Sequence, residues 1–175
     1  YSTIISKLPK IKIILYNFEK LSGYSFSAKF VEKLVSSFPK NIIGCKDSGY
    51  NLYENLKLPN FLIFPGSESK LLKGLELGCS GCISAVTNVT HSIARKVFDD
   101  FENKKKQTVN EKLILVRETF DKYNLISALH SFMSVHNPQF KNLLPPLVLL
   151  SNEKQKELLI KLQDLNFIPI KEKAA

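Results

Sequence analysis

The stretch Ile42-Ile43-Gly44-Cys45-Lys46-Asp47-Ser48-Gly49 decides how this chain folds. A short apolar run ends in a charged lysine, and small polar residues that favour a turn follow at once. Burying an unpaired ammonium is costly, so a lysine closing an apolar strand calls for a reason beyond packing. An earlier stretch, Ile11-Lys12-Ile13-Ile14-Leu15-Tyr16-Asn17, is built in the same way and carries a tyrosine near its end. Strands that end in a reactive polar group and alternate with helices are how a parallel barrel presents its chemistry. Lysine is also among the few side chains that bond covalently to a carbonyl carbon. A tyrosine at a strand end is more often a packing residue, so the weight falls on Lys46.

Working outward, strands are expected at 11–16, 42–46, 61–64 (stopped by Pro65-Gly66) and 81–85. Between them, Phe30, Val31, Leu34 and Val35 recur at helical spacing over 27–37, with Ser27 as cap. The spacing admits a short helix over 51–57 and predicts one over 69–77, with Gly78 as its C-cap. A helix over 91–102 follows. The strands do not alternate cleanly between apolar and polar, which is the mark of a sheet buried on both faces. Beyond residue 104 only helices are expected, over 108–123, 125–134 and 152–164. The expected organisation is therefore half of a barrel over 1–103 and a helical extension over 104–175. Tyr16, Lys46, Gly66 with Ser67 and Glu68, and Ser84 all fall where a strand gives way to a loop, the side on which such folds keep their active sites.

Composition narrows the function. The chain has 175 residues, 44% of them hydrophobic, enough for a core of about one domain. No stretch approaches the roughly 20 apolar residues of a membrane helix, and no signal peptide opens the sequence. Three cysteines favour a reduced, cytoplasmic compartment over a disulfide framework. The first residue is Tyr1 rather than Met, which points to a piece of something longer. The net charge of +9 rests on 23 lysines and only two arginines, Arg95 and Arg117. Readers of nucleic acid lean on arginine forks, and the one basic run, Lys104-Lys105-Lys106, suits a solvated turn between helices. Neither nucleic acid nor membrane is an expected partner. Cys79 and Cys82 have half the spacing of a zinc site but no second pair, so packing is the expected role. His130 and His136 have no carboxylate partners in the sequence pattern and are taken as filler. Cys45 should point away from Lys46 by strand alternation.

Tyr16-Asn17 with Leu21-Ser22-Gly23, Ile43-Gly44-Cys45-Lys46-Asp47-Ser48, Pro65-Gly66-Ser67-Glu68 and Gly81-Cys82-Ile83-Ser84 carry a resemblance. In this order and spacing they resemble the second half of the dihydrodipicolinate synthase and N-acetylneuraminate lyase family. The resemblance implies a (β/α)8 TIM barrel, of which strands 5–8 are present here, followed by C-terminal helices, and assembly as a homo-oligomer, usually a tetramer. It implies class I aldolase chemistry on pyruvate with an aldehyde or keto-acid second substrate, with Lys46 forming the imine and Tyr16 shuttling protons. A neutral amine must attack the keto carbon, and desolvation inside a barrel favours the neutral form. A phenol within hydrogen-bonding reach can ferry protons through imine formation and aldol cleavage. No cofactor beyond the lysine imine, and no metal, is implied. Ser48, Ser67 and Glu68 match positions that contact hydroxyls of the second substrate in sugar-acid members. Gly66 and Ser84 belong to the same loops, and Ile83 lies where backbone faces the pyruvyl group. A carboxylate pocket and a second relay tyrosine, which the family carries in its first half, have no counterpart in this stretch.

Two positions depart from the family pattern. Glu19 stands where a proline is usual, and Leu21 stands where true dihydrodipicolinate synthases carry a carboxylate-binding arginine. Losing such a fork removes a charge-assisted contact. The departure favours a 2-keto-3-deoxy sugar acid as substrate. The lysine-pathway synthase, 4-hydroxy-tetrahydrodipicolinate synthase, is the alternative, and a catalytically silent homologue with a binding role is the next.

Overall fold

The two runs of similar build, ending in Tyr16-Asn17 and Lys46-Asp47, lie side by side in the fold. The computed structural model describes residues 1–167. Strands β1 (Ile13–Asn17), β2 (Ile42–Asp47) and β3 (Leu62–Pro65) form one parallel sheet in the order β1-β2-β3. The register places Tyr16 beside Lys46 and Lys46 beside Phe64. Leu15, Asn17, Cys45, Asp47, Ile63 and Pro65 point to the other face and are all buried.

That buried face is covered by helices α1 (Ser2–Lys7), through Ile5, and α3 (Ala28–Ser37), through Val31 and Leu34. A four-residue helix, α2 (Glu19–Ser22), lies between β1 and α3. The opposite face is open: Ile14, Tyr16 and Leu62 are each 40% exposed or more. The sheet is therefore buried on one face among the described residues, where the sequence led us to expect both. The β1 and β3 runs are apolar at alternate positions whose side chains reach opposite faces, so the same residues serve a covered and an uncovered face.

Two expected elements take another form. Residues 81–85 do not make a fourth strand. Ser80 N–H donates to Ile63 O at 2.9 Å and Ile83 N–H to Pro65 O at 3.1 Å, so this segment follows the edge of β3. Gly81, at φ 138°, turns the backbone out of the extended conformation between those two bonds. The helix admitted over 51–57 is reduced to a single turn closed by Leu56 N–H on Leu52 O. The amides that would begin it, Leu52 and Tyr53, are taken by the Asp47 carboxylate instead. Over 68–77 a 3₁₀ turn, Glu68–Lys70, leads into α4 (Leu71–Glu76). Leu77 is its C-cap, and Gly78 at φ 87° is the next residue out, its N–H on Leu75 O and that of Cys79 on Gly74 O. That pair of bonds is the Schellman ending.

The chain divides into two compact units, Tyr1–Ser84 and Ala85–Ala175. The 103/104 division expected from the sequence falls inside the second unit, because α5 (Thr87–Glu102) packs on α6 (Asn110–Asp121). Helix α6 also packs on α7 (Leu125–Met133) and α8 (Asn152–Asp164), around Val116, Phe120, Phe132, Leu158 and Leu162. The last eight residues of the expected extension, 168–175, lie outside the described residues. Lys104, Lys105 and Lys106 are exposed in the turn after α5. His130 Nδ1 lies 2.8 Å from Phe140 O, a structural contact. No helix among the described residues is long and apolar enough to cross a membrane.

Candidate active site

Lys46 and Tyr16 stand side by side on the open face, near the C-terminal ends of β2 and β1. The Lys46 ammonium lies 4.2 Å from the centroid of the Tyr16 ring, within the range in which a cation is held by the ring's quadrupole. Tyr16 is 45% exposed and Lys46 half-buried, so the pair is open to an incoming molecule. Phe64, next in the row across the sheet, gives the amine an apolar neighbour position on β3. This arrangement offers a nucleophilic amine, a phenol that can donate or accept a proton, and an apolar flank.

On the face behind them sits a polar core. Asp47 is fully buried and accepts five hydrogen bonds. Its Oδ1 receives Asn17 Nδ2 at 2.7 Å and the N–H groups of Gly49 and Tyr50; its Oδ2 receives those of Leu52 and Tyr53 at 2.8 and 2.9 Å. A buried carboxylate is tolerated when its lone pairs are filled in this way. Cys45 points into the same buried side, as alternation predicts. Burial first, and the neighbouring Asp47 charge second, push its thiol up to about 12. Cys79 is buried in the core of the first unit, the packing role expected of it.

The strand ends are stitched together around the pair. Ser48 N–H donates to Asn17 O at 2.9 Å, and Gly66 N–H to Asp47 O at 2.8 Å. A Cβ on Gly66 would fall 2.1 Å from Ser48 Oγ, so the glycine is what lets Ser48 sit against the end of β3. Ser67, 3% exposed, caps the 3₁₀ turn, accepting from Ser69 N–H. Glu68 is fully buried, and its Oε2 accepts from Ser84 Oγ at 2.5 Å. Ile83 is 38% exposed. The structure thus brings together Tyr16 with Lys46, Ser48 with Gly66, and Glu68 with Ser84. Ser67 and Glu68 are turned inward, and of the polar loop residues Ser48 is the more accessible. Sequence reasoning gave no role to Phe64, Asn17 or Asp47. The only signal for the last two was their place directly after Tyr16 and Lys46 in the two matching runs.

Residues 1–165 match the sequence model of the dihydrodipicolinate synthetase family. A 4-hydroxy-tetrahydrodipicolinate synthase of a Hydrogenobaculum species is 37% identical over 89 residues, 49% of this chain and 30% of that protein. An N-acetylneuraminate lyase of Clostridium perfringens is 32% identical over 104 residues, 57% of this chain and 35% of that protein. Among solved structures, YagE from E. coli K12, a prophage protein of the dihydrodipicolinic acid synthase family crystallised with pyruvate, superposes with a TM-score of 0.82. That match has 22% identity and covers 95% of this chain and 60% of YagE, so it speaks for the fold. The chain spans about a third of the two enzymes and 60% of YagE. Matched over nearly its whole length, the chain belongs to the dihydrodipicolinate synthetase family.

Proposed function

We propose that this chain is the lysine-bearing part of a Schiff-base-forming class I aldolase or lyase that makes or breaks a carbon–carbon bond to pyruvate. The observation that carries this is the Lys46 amine 4.2 Å from the Tyr16 ring, on the open face near the ends of adjacent parallel strands. The neutral amine attacks the keto carbon, the carbinolamine loses water, and the iminium draws electrons from the adjacent carbon to give an enamine. In the synthetic direction that enamine carbon attacks the aldehyde or keto-acid partner. In the lytic direction the imine forms on the substrate's keto carbon, and the bond from the adjacent carbon to the partner breaks. The partner leaves as a carbonyl compound, and the enamine left on Lys46 is protonated and hydrolysed to pyruvate. Tyr16 carries the protons that each stage takes up or gives off. Ser48 provides the polar side of the pocket for the second substrate, with backbone at Gly66 and Ile83, while the inward-turned Ser67, Glu68 and Ser84 hold the loops that carry it. The fold in this reading is the later half of a (β/α)8 barrel, assembled as a homo-oligomer in the cytoplasm.

The second substrate is a 2-keto-3-deoxy sugar acid, because Leu21, 75% exposed in the short helix α2 after β1, holds the place where a carboxylate-binding arginine would serve the synthase. The 37% identity to a named 4-hydroxy-tetrahydrodipicolinate synthase favours the alternative. The intact Tyr16–Lys46 pair speaks against a silent homologue. To test the chemistry, the complete protein is incubated with pyruvate and borohydride, which reduces the imine to a secondary amine. A pyruvyl adduct on the peptide containing Lys46 is expected; an adduct on another lysine, or none, overturns the proposal. A direct comparison of kcat/KM settles the substrate, with a clear preference for aspartate semialdehyde promoting the synthase.

A further inference from the structure

At the step beyond the Tyr16–Lys46 rung, β1 and β2 carry a second in-register pair, Asn17 and Asp47, on the opposite face. Both are fully buried. Asn17 uses its whole amide: Nδ2 donates to Asp47 Oδ1 and to Asn51 Oδ1, each at 2.7 Å, and Oδ1 accepts from Phe26 N–H at 2.9 Å. Asn51 Nδ2 closes the circuit on Phe26 O at 2.9 Å. Asp47 gathers four backbone N–H groups of residues 49–53. The loop after β1 and the loop after β2 are therefore fastened to one buried side-chain bridge.

Its location matters. Strand ends are where a ladder opens most readily, since beyond the last rung no further backbone bond holds the chains together. The reactive pair sits one rung from that end. Without the bridge, β1 and β2 would be joined there only by their last ladder bonds and by Ser48 and Gly49 N–H on Asn17 O. We infer that Asn17 and Asp47 are positioning residues, whose buried bridge fixes the Lys46 amine against the Tyr16 phenol. The inference rests on Lys46 being the imine-forming lysine. Neither residue touches substrate; each acts through the strand neighbour whose Cα it holds. A displacement of about 1 Å between reacting groups costs on the order of 10²-fold in rate, so the effect belongs in turnover and in the rate of imine formation.

The test uses the complete protein with pyruvate and borohydride, comparing the wild type, Asn17→Ala, Asp47→Asn and the reciprocal pair Asn17→Asp with Asp47→Asn. Absence of a Lys46 adduct in the wild type sinks the proposed function and this inference with it. Given the wild-type adduct, folded single variants should trap pyruvate on the order of 10- to 100-fold more slowly. Their kcat should fall in parallel, and the KM for pyruvate should stay within about threefold because the binding groups are untouched. The reciprocal pair, which keeps the interstrand hydrogen bond with donor and acceptor exchanged, should recover part of the lost kcat over Asp47→Asn alone. A merely structural role predicts activity that follows the folded fraction and no recovery by the exchange. Trapping at the wild-type rate, or loss explained by unfolding, overturns the inference and leaves the function of Lys46 standing. If Asp47→Asn does not fold, Asn51→Ala, which removes the outer hydrogen bonds to Asn17 and Phe26 and leaves the Asn17–Asp47 contact, must still slow trapping severalfold.

Discussion

At the residue scale, the Lys46 amine and the Tyr16 ring divide two tasks that no other described pair shares in this geometry. Lys46→Ala removes the nucleophile and should abolish turnover, measured against the wild type in the complete protein. Tyr16→Phe keeps the ring over the amine and deletes only the hydroxyl. It should slow the reaction by on the order of 10²–10⁴, the usual contribution of a positioned acid–base group, with the Lys46 adduct still trappable. Cys45, directly behind, gives a pH-dependent check. Its thiol is pushed up to about 12, chiefly by burial, so the native protein at about pH 9 holds it as the neutral thiol, against about 8.5 for an unfolded cysteine. A raised folded value means that the stability it lends is fully present below the unfolded value and is lost as pH climbs toward 12. Iodoacetamide at about pH 9 should leave Cys45 unmodified until urea unfolds the chain; rapid native labelling would show that β2 is not packed as described.

Among the elements, caps were the most legible feature and register the least. Ser27 was expected to cap a helix at 27–37, and its side chain accepts from Phe30 N–H at the start of Ala28–Ser37. Ser151 does the same for α8, whose bounds match the expected 152–164. Such caps are local, so sequence carries them. Ser27→Ala should cost about 1 kcal/mol, read as a lower urea midpoint at unchanged slope, since α3 buries only Val31 and Leu34 fully. The pairing of Tyr16 with Lys46 joins residues far apart in the chain; their similar runs and the family resemblance put both at one site, but neither carries the register. The Asn17–Asp47 bridge was invisible for the same reason. Two local expectations failed through long-range competition or backbone geometry: the helix at 51–57 lost its first amides to Asp47, and the strand at 81–85 was broken by Gly81 at φ 138°. The helix at Ser2–Lys7 went unread because it is short and has no side-chain cap.

On the scale of the whole chain, the sheet raises a question that its solved relatives frame. Among the described residues, β1 has a free edge and the face bearing Ile14, Tyr16 and Leu62 is open, features that folded proteins usually cover. A closed barrel of this kind has eight parallel strands and typically about 250 residues, while this chain has 175 and covers 60% of YagE. In the proposed reading, the remaining strands pair with β1, cover that face and bring a pocket for the pyruvate carboxylate. Residues 1–175 expressed alone should then self-associate, bind an apolar dye at the open face, and bind pyruvate too weakly for turnover even with Lys46 in place. Co-expression with a segment supplying the other strands should bring both a monodisperse particle and the Lys46 adduct. The decisive measurement is sedimentation of the 175-residue chain beside its borohydride trapping rate. A monomer that unfolds cooperatively and turns over substrate would mean that three strands and their loops suffice for the chemistry, and the barrel-half reading would have to be given up.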